Sequence, residues 1–256
     1  MAPVISVNQV SKTYRVPQRE PGLKAAWRSL THPQFLEVEA VKNISFSIQP
    51  GEMVALIGPN GAGKTTTLKM LTGLLQPSHG EILVNGFIPA KRGNEYLSQI
   101  SIVLGNKSQM LWDIPPLDTF LVLGEIYRVP PEILRQRIDE MVSLLDMGEI
   151  LRKPVRNLSL GERMKCELVA SLLHQPKVLF LDEPTLGLDI SIQNRLRAFI
   201  LAYNLKHQAT ILLTSHYMAD IERLCQRVIL IHHGEILYDG ALNGLSTQLT
   251  NSKLVR

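Results

Sequence analysis

The eight residues Gly58-Pro59-Asn60-Gly61-Ala62-Gly63-Lys64-Thr65 constrain this chain more than anything else in it. They fit the pattern G-x-x-x-x-G-K-[ST], a loop that cradles phosphate. Its glycines let successive backbone N–H groups converge on phosphate oxygens, and a helix starting at the loop's end adds its positive dipole. Lysine supplies a point charge to the β- and γ-phosphates, and the next hydroxyl suits Mg²⁺. Such a loop must join a buried strand to a helix. The flanks agree: residues 52–57 read as a buried strand and 64–75 as a helix.

The same pattern extends along the chain. Residues 4–10, 41–48, 81–84, 178–181, 210–213 and 228–231 read as short strands, the last followed by a turn at His233 and Gly234. Short apolar strands alternating with helices predict a parallel sheet covered on both faces. In 131–147, Leu134, Ile138, Met141, Val142 and Leu145 recur at helical spacing, and 160–174 reads as a second helix. The stretch 106–175 has no such strands, so a helical lobe is expected there. Residues 15–38, with Pro17, Pro21, Gly22 and Pro33, read as an excursion outside the core.

Composition narrows the class. At 256 residues, 45% hydrophobic and 20% charged, the chain can bury a sizeable core. Its net charge of +4 is too weak and too local to point to nucleic acid. Residues 1–50 hold Lys12, Arg15, Arg19, Lys24, Arg28 and Lys42 against Glu20, Glu37 and Glu39, so most of the excess sits there. No apolar run approaches the ~20 residues that cross a bilayer. The N-terminus lacks the basic and apolar regions of a secretory signal. Any membrane connection is therefore expected through a partner. Cys166 and Cys225 have no metal-ligand spacing and read as reduced core residues.

Three further segments carry chemistry. The apolar run before Asp182 and Glu183 predicts two carboxylates at a strand's carboxyl end, where a Mg²⁺ ligand and a general base belong. Leu158-Ser159-Leu160-Gly161-Glu162-Arg163 opens a helix with a second anion-binding N-terminus. One nucleotide does not need two such sites from one chain, but a second copy could present this serine to the γ-phosphate. The alternative is an N-cap serine with Glu162 as its capping partner. His216, after another apolar run, is placed to bond the γ-phosphate or is simply structural.

Together these residues resemble the ATPase subunit of an ABC transporter over nearly the whole chain. Gly58–Thr65 is similar to Walker A, Asp182 and Glu183 to Walker B and its catalytic glutamate, and Leu158–Glu162 to the signature motif. Gly187-Leu188-Asp189 resembles the D-loop, His216 the switch histidine, and Tyr14 the aromatic that stacks on adenine; an edge-strand tyrosine is the plain alternative. The resemblance implies an α/β P-loop NTPase core with a small antiparallel β subdomain and a helical signature lobe. It implies one domain over 1–256: core from about 1–105 and 176–240, lobe from 106–175, insertion at 15–38, tail at 241–256. It also implies that ATP and Mg²⁺ are held by Tyr14, residues 58–66 including Thr66, and Asp182. Ser159, Leu160, Gly161 and Glu162 of another copy would cap them, with Glu183 and His216 favouring hydrolysis.

The chain departs from the family pattern in three places. Leu160 stands where glycine is usual and Glu162 where glutamine is common. At the Q-loop, Gly105-Asn106 replaces the glutamine, and Asn106 is assigned that role at the metal and the water. The insertion at 15–38 includes residues 23–30, a possible basic amphipathic helix for a lipid or membrane-subunit surface; a solvated excursion is the alternative. The expected partners are integral-membrane permease subunits and a second ATPase, identical or paralogous, at the cytoplasmic face of the membrane. The apolar segment 109–116 invites such a partner unless Trp112 is buried in its own lobe. The residues around Walker A and the D-loop look most like exporter ATPases, with 104–115 and the signature closest to a viologen-exporter-like branch. An importer ATPase is the alternative, and a soluble ABC ATPase acting on nucleic acid or ribosomes a more distant one.

Overall fold

The computed structural model describes residues 2–17, 35–105 and 108–245. Two sheets organise them. β1 (Ile5–Pro17) pairs antiparallel with both β2 (Phe35–Ile48) and β4 (His79–Val84), in the order β2-β1-β4. The second sheet has the order β5-β6-β7-β3-β8-β9, from β3 (Met53–Ile57), β5 (Ile100–Leu104), β6 (Val178–Asp182), β7 (Thr210–Thr214), β8 (Arg227–His232) and β9 (Glu235–Ala241). Its first five strands are mutually parallel, and β9 closes one edge antiparallel through the His233–Gly234 turn.

Among the described residues, seven α-helices surround the sheets: α1 (Lys64–Leu71), α2 (Asn94–Leu97), α3 (Pro116–Ile126), α4 (Pro131–Leu145), α5 (Leu160–Leu172), α6 (Ile190–His207) and α7 (Met218–Leu224). The parallel strands are buried on both faces, and the period of two divides them between two cores. Met53, Ala55, Leu179, Leu181, Ile211 and Leu213 face the core shared with α3 to α7. Val54, Leu56, Val178, Phe180 and Leu212 face the core shared with α1 and the three-stranded sheet. Each such large side chain contributes roughly 1.5–3 kcal/mol on burial. The sheet is thus clamped between a helical layer and a β layer.

Several boundaries differ from the sequence reading. α1 stops at Leu71 rather than 75, because the Thr72 hydroxyl donates back to the Leu68 and Lys69 carbonyls and Gly73 turns at φ +72°. A Cβ on Gly73 would lie 2.2 Å from the Pro89 carbonyl oxygen, so only glycine fits that turn. β1 runs to Pro17 rather than ending near Val10, and β2 begins at Phe35. The ends of the expected excursion are therefore sheet: Arg15, Val16 and Pro17 pair with Glu37, Leu36 and Phe35, and Arg15 Nε meets Glu37 at 3.1 Å. Residues 18–34, with the candidate helix at 23–30, lie outside the described residues, as do Asn106, Lys107 and 246–256.

Both cysteines are buried, and burial pushes each thiol from 9.0 up to about 12. A thiol pKa raised by folding contributes stability that is present below pH 9.0 and lost as pH rises toward 12. A soluble thiol reagent at pH 8 should leave both cysteines of the native protein unmodified and label both in urea. Rapid labelling of the native protein would contradict this packing.

Candidate active site

The carboxyl ends of four neighbouring strands meet at one edge of the parallel sheet. β3 delivers the loop Gly58–Gly63 to the N-terminus of α1, β6 ends at Asp182, β7 ends at Thr214, and β5 ends beside Gly105. Backbone crowding dictates the loop's glycines. Gly58 (φ +148°) sits where a Cβ would be 2.0 Å from the Ile231 carbonyl oxygen; at Gly63 (φ +111°) the Ala40 carbonyl oxygen would be at 2.6 Å. A cleft of about 160 Å³ opens over residues 60–66, with Ala40 and Glu183 on its walls.

Side chains converge on this cleft. Lys64 is buried, and its ammonium donates to the carbonyls of Gly58 (2.7 Å) and Pro59 (3.0 Å). Burial lowers its pKa from the usual lysine range, while the charges of Glu183 and Asp182 pull it back up. The Asp182 carboxylate accepts from the Thr65 hydroxyl at 3.3 Å and from the Thr214 hydroxyl at 2.7 Å. Glu183 adopts φ +54°, a conformation that costs a non-glycine residue about 1–3 kcal/mol. Its backbone N–H donates to the carbonyl and hydroxyl oxygens of Thr214, both at 3.1 Å. Its carboxylate lies 2.7 Å from His216 Nε2.

The structure thus brings together Gly58 to Thr66, Asp182, Glu183 and His216. Tyr14 is half-buried and pairs with Val38, with the Lys12 ammonium 5.5 Å from its ring. Two residues further along the same strand, Ala40 presses on Gly63. Gly105 donates its N–H to the Asp182 carbonyl at 3.0 Å, and the next residue, Asn106, lies outside the described residues. As a donor set, Thr65 and Asp182 offer hydroxyl and carboxylate oxygens only, which suits a hard cation such as Mg²⁺. Among the described residues no cluster of three His, Cys, Asp or Glu could hold a metal, so substrate oxygens and water would complete the shell.

Ser159 is different. It caps α5 reciprocally with Glu162: Glu162 N–H donates to the Ser159 hydroxyl oxygen at 3.3 Å, and Ser159 N–H to the Glu162 carboxylate at 2.8 Å. That second bond holds the Glu162 carboxyl below the usual carboxylate range. The expected capping box is present, yet it leaves the serine O–H free to donate. Among the described residues no hydrogen bond joins Ser159–Glu162 to the phosphate loop. Leu160, 45% exposed, reaches toward Gly187, and a Cβ on Gly161 would meet Ile192 at 2.2 Å. Leu160 and Gly161 therefore pack on residues 187–192 of the same chain, where Asp189 caps α6 by accepting from Ile192 N–H at 2.9 Å.

A network of buried polar residues escaped the sequence reading. Asp220 and Arg197, 1% and 4% exposed, form an ion pair at 2.6 Å, and the hydroxyls of Thr185 and Ser215 also donate to Asp220. Gln193 donates to the carbonyls of Thr185 and Leu188. This network ties residues 185–193 to Ser215, the residue preceding His216. Thr214 was missed too, although a hydroxyl ending the strand beside Asp182 is a readable signal.

The comparisons with known proteins agree with this geometry. Residues 41–186 match the family model described as ABC transporter. The chain belongs to the ABC transporter ATP-binding family. It is 36% identical over 208 residues to the ABC transporter ATP-binding protein NatA of Bacillus subtilis (strain 168), covering 81% of this chain and 84% of the relative. It is 31% identical over 219 residues to the linearmycin resistance ATP-binding protein LnrL of the same organism, covering 84% and 69%. A solved structure of an ATP binding subunit of an ABC transporter superposes with a TM-score of 0.78 at 25% identity, covering 96% of this chain and 93% of that one. The dimeric post-hydrolysis state of the cassette MJ0796, bound to ADP and Pi, superposes at 0.75 with 21% identity over 93% and 98%, a likeness of fold. The expected fold class, a P-loop α/β core with an antiparallel β sheet and helical segments, therefore holds. This ABC protein is an ATPase by family.

The buried Asp220–Arg197 pair yields a stability prediction. Removing one partner strands the other, so Asp220→Ala should lose about 3–5 kcal/mol in urea unfolding. A loss below about 1 kcal/mol would mean that the pair does not organise this region.

Proposed function

We propose that this ABC ATPase powers export through separate membrane-spanning permease subunits, binding each ATP between two copies of the cassette or between this chain and a paralogue. One observation carries the reading. The cleft over the phosphate loop is walled by Glu183, with Asp182 bonded to Thr65 and His216 to Glu183 at its rim, whereas the second helix N-terminus, at Ser159, has no hydrogen bond to it among the described residues. A second copy completes the site. The domain reading follows: one ABC ATPase domain, with the core from 1–105 and 176–240 and the signature lobe between.

In this reading Lys64 leaves the Gly58 and Pro59 carbonyls for the β- and γ-phosphates, which replace the buried ammonium's partners with stronger ones. The backbone N–H groups of 60–66 hold the phosphates, and Tyr14 packs against the adenine ring. Thr65 and Asp182 hold Mg²⁺, with Thr214 fixing the second Asp182 oxygen. Bound there, Mg²⁺ would neutralise developing charge on the phosphate oxygens. Glu183 accepts the proton of the attacking water, oriented by its left-handed backbone and by His216. Asn106 supplies an amide at the Q-loop. Ser159 and Gly161 of the second copy donate to the γ-phosphate, so ATP favours the closed pair because it contacts both halves.

Export and membrane partnership have their own support. Among the described residues no helix is long and apolar enough to cross a membrane. Leu111 and Trp112 are half-exposed beside the Q-loop, and Arg163 stacks over the indole at 5.2 Å. That apolar patch suits a permease loop at the cytoplasmic face of the membrane. One relative is named for resistance to linearmycin, a role that export would serve.

Glu183→Gln should keep ATP affinity, lose about 10²–10⁴-fold in turnover, and accumulate as an ATP-bound dimer in light scattering. Wild-type-like turnover would remove Glu183 from the base role. Tagged Glu183→Gln protein purified with ATP from detergent-solubilised membranes should bring stoichiometric multi-span subunits, identified by mass spectrometry. A catch of ribosomal or DNA-bound proteins would overturn the transport reading.

A further inference from the structure

The helix α5 that carries Ser159 at its N-terminus also holds a buried carboxylate that the hydrolytic machinery does not use. Glu167 is 6% exposed, two turns along the helix from Ser159. Among the described residues no salt bridge reaches it. Its partners all come from one short segment. The Ser108 hydroxyl donates to Oε1, Gln109 N–H reaches both carboxylate oxygens at 3.1 and 3.2 Å, and Met110 N–H approaches Oε1 at 3.4 Å. Gln109 Nε2 adds a bond to the Glu167 carbonyl at 3.3 Å.

A carboxylate taken out of water without a cation is unfavourable for folding, and an apolar residue there would avoid that penalty. What the charge provides is a fixed position for three consecutive residues. Those residues matter by their place in the chain. Gly105 is bonded to the Asp182 carbonyl, beside the catalytic acids, and only Asn106 and Lys107 separate it from Ser108. Downstream, the same strap stays on the signature lobe: Trp112 lies under Arg163, the Trp112 carbonyl accepts from Arg156 N–H at 3.0 Å, and Asp113 pairs with Arg156 at 2.8 Å.

We propose that Glu167 is a positioning residue that locks residues 108–110 onto α5, so that this strap and the helix end bearing Ser159 move as one body when ATP binds. The inference rests on the proposed reading in which Ser159 completes the site of a second copy. Glu167 does not line the phosphate-loop cleft. Its effect is on the alignment of the two halves, through the strap, and binding of ATP to the phosphate loop of a single copy does not depend on it.

The test uses the full chain carrying Glu183→Gln, with dimer formation followed by light scattering as Mg²⁺-ATP is titrated, and with single-copy affinity followed by a fluorescent ATP analogue. Glu167→Ala should leave analogue affinity within about twofold while raising the ATP concentration for half-dimerisation at least about tenfold. Glu167→Gln, which keeps one acceptor oxygen, should recover most of that loss. Ser108→Ala, which removes one donor from an exposed residue, should raise the half-dimerisation concentration about threefold. Three results would overturn the proposal: unchanged dimerisation in Glu167→Ala and Ser108→Ala, no recovery with glutamine, or parallel loss of analogue affinity and dimerisation, which marks a merely structural role. If the Glu183→Gln parent fails to dimerise with ATP, the composite-site reading itself falls, and this proposal with it.

Discussion

The molecule is organised around a place where backbone approaches backbone too closely for any side chain. Gly58 lies against the carbonyl of Ile231 on β8, and Gly63 against that of Ala40 on β2. The phosphate loop is therefore wedged between the parallel sheet and the three-stranded sheet, with its shape imposed from both sides. Gly234 adds to the wedge, donating its N–H to the Ala62 carbonyl while its own carbonyl accepts from Lys42 N–H. Loop geometry that would be costly to order on substrate binding is set by the fold beforehand.

From that wedge the rest of the site follows by strand order. β7 lies between β3 and β6, so Thr214 is within reach of Asp182 and of the Glu183 backbone at once. The left-handed turn at Glu183 aims its carboxylate at His216, and the buried Asp220 network holds the loop that carries His216 to the D-loop. The start of α5 packs on Gly187 and Ile192, and Thr185 and Gln193 join that segment to the Asp220 network.

Much of this was legible in the sequence, for physical reasons. Strands buried on both faces read as unbroken apolar runs, which made β3, β6, β7 and β8 readable to within a residue or two. The glycine spacing of the phosphate loop and the paired acids after β6 located the cleft. The long pairing of β1 and β2 was not legible, because Arg15, Val16 and residues 35–39 are exposed and lack the alternation that a half-buried strand shows. Glu167 and Lys165 were missed because charged residues in a helix suggest a solvent face. In α5, however, the run from Met164 to Leu172 is buried on every side, so its charges are interior. Asp220 and Arg197 are far apart in sequence, and only the packing of α6 on α7 joins them.

The central claim is that one ATP site is divided between two copies, and mixing two dead variants tests it most directly. Lys64→Ala spoils the phosphate loop but leaves Ser159 intact; Ser159→Arg does the reverse. Each variant alone should be inactive, while an equimolar mixture should recover about a quarter of wild-type ATPase, since half the dimers are mixed and each has one intact site. A mixture as inactive as its parents, or full activity in Ser159→Arg alone, would contradict the divided site.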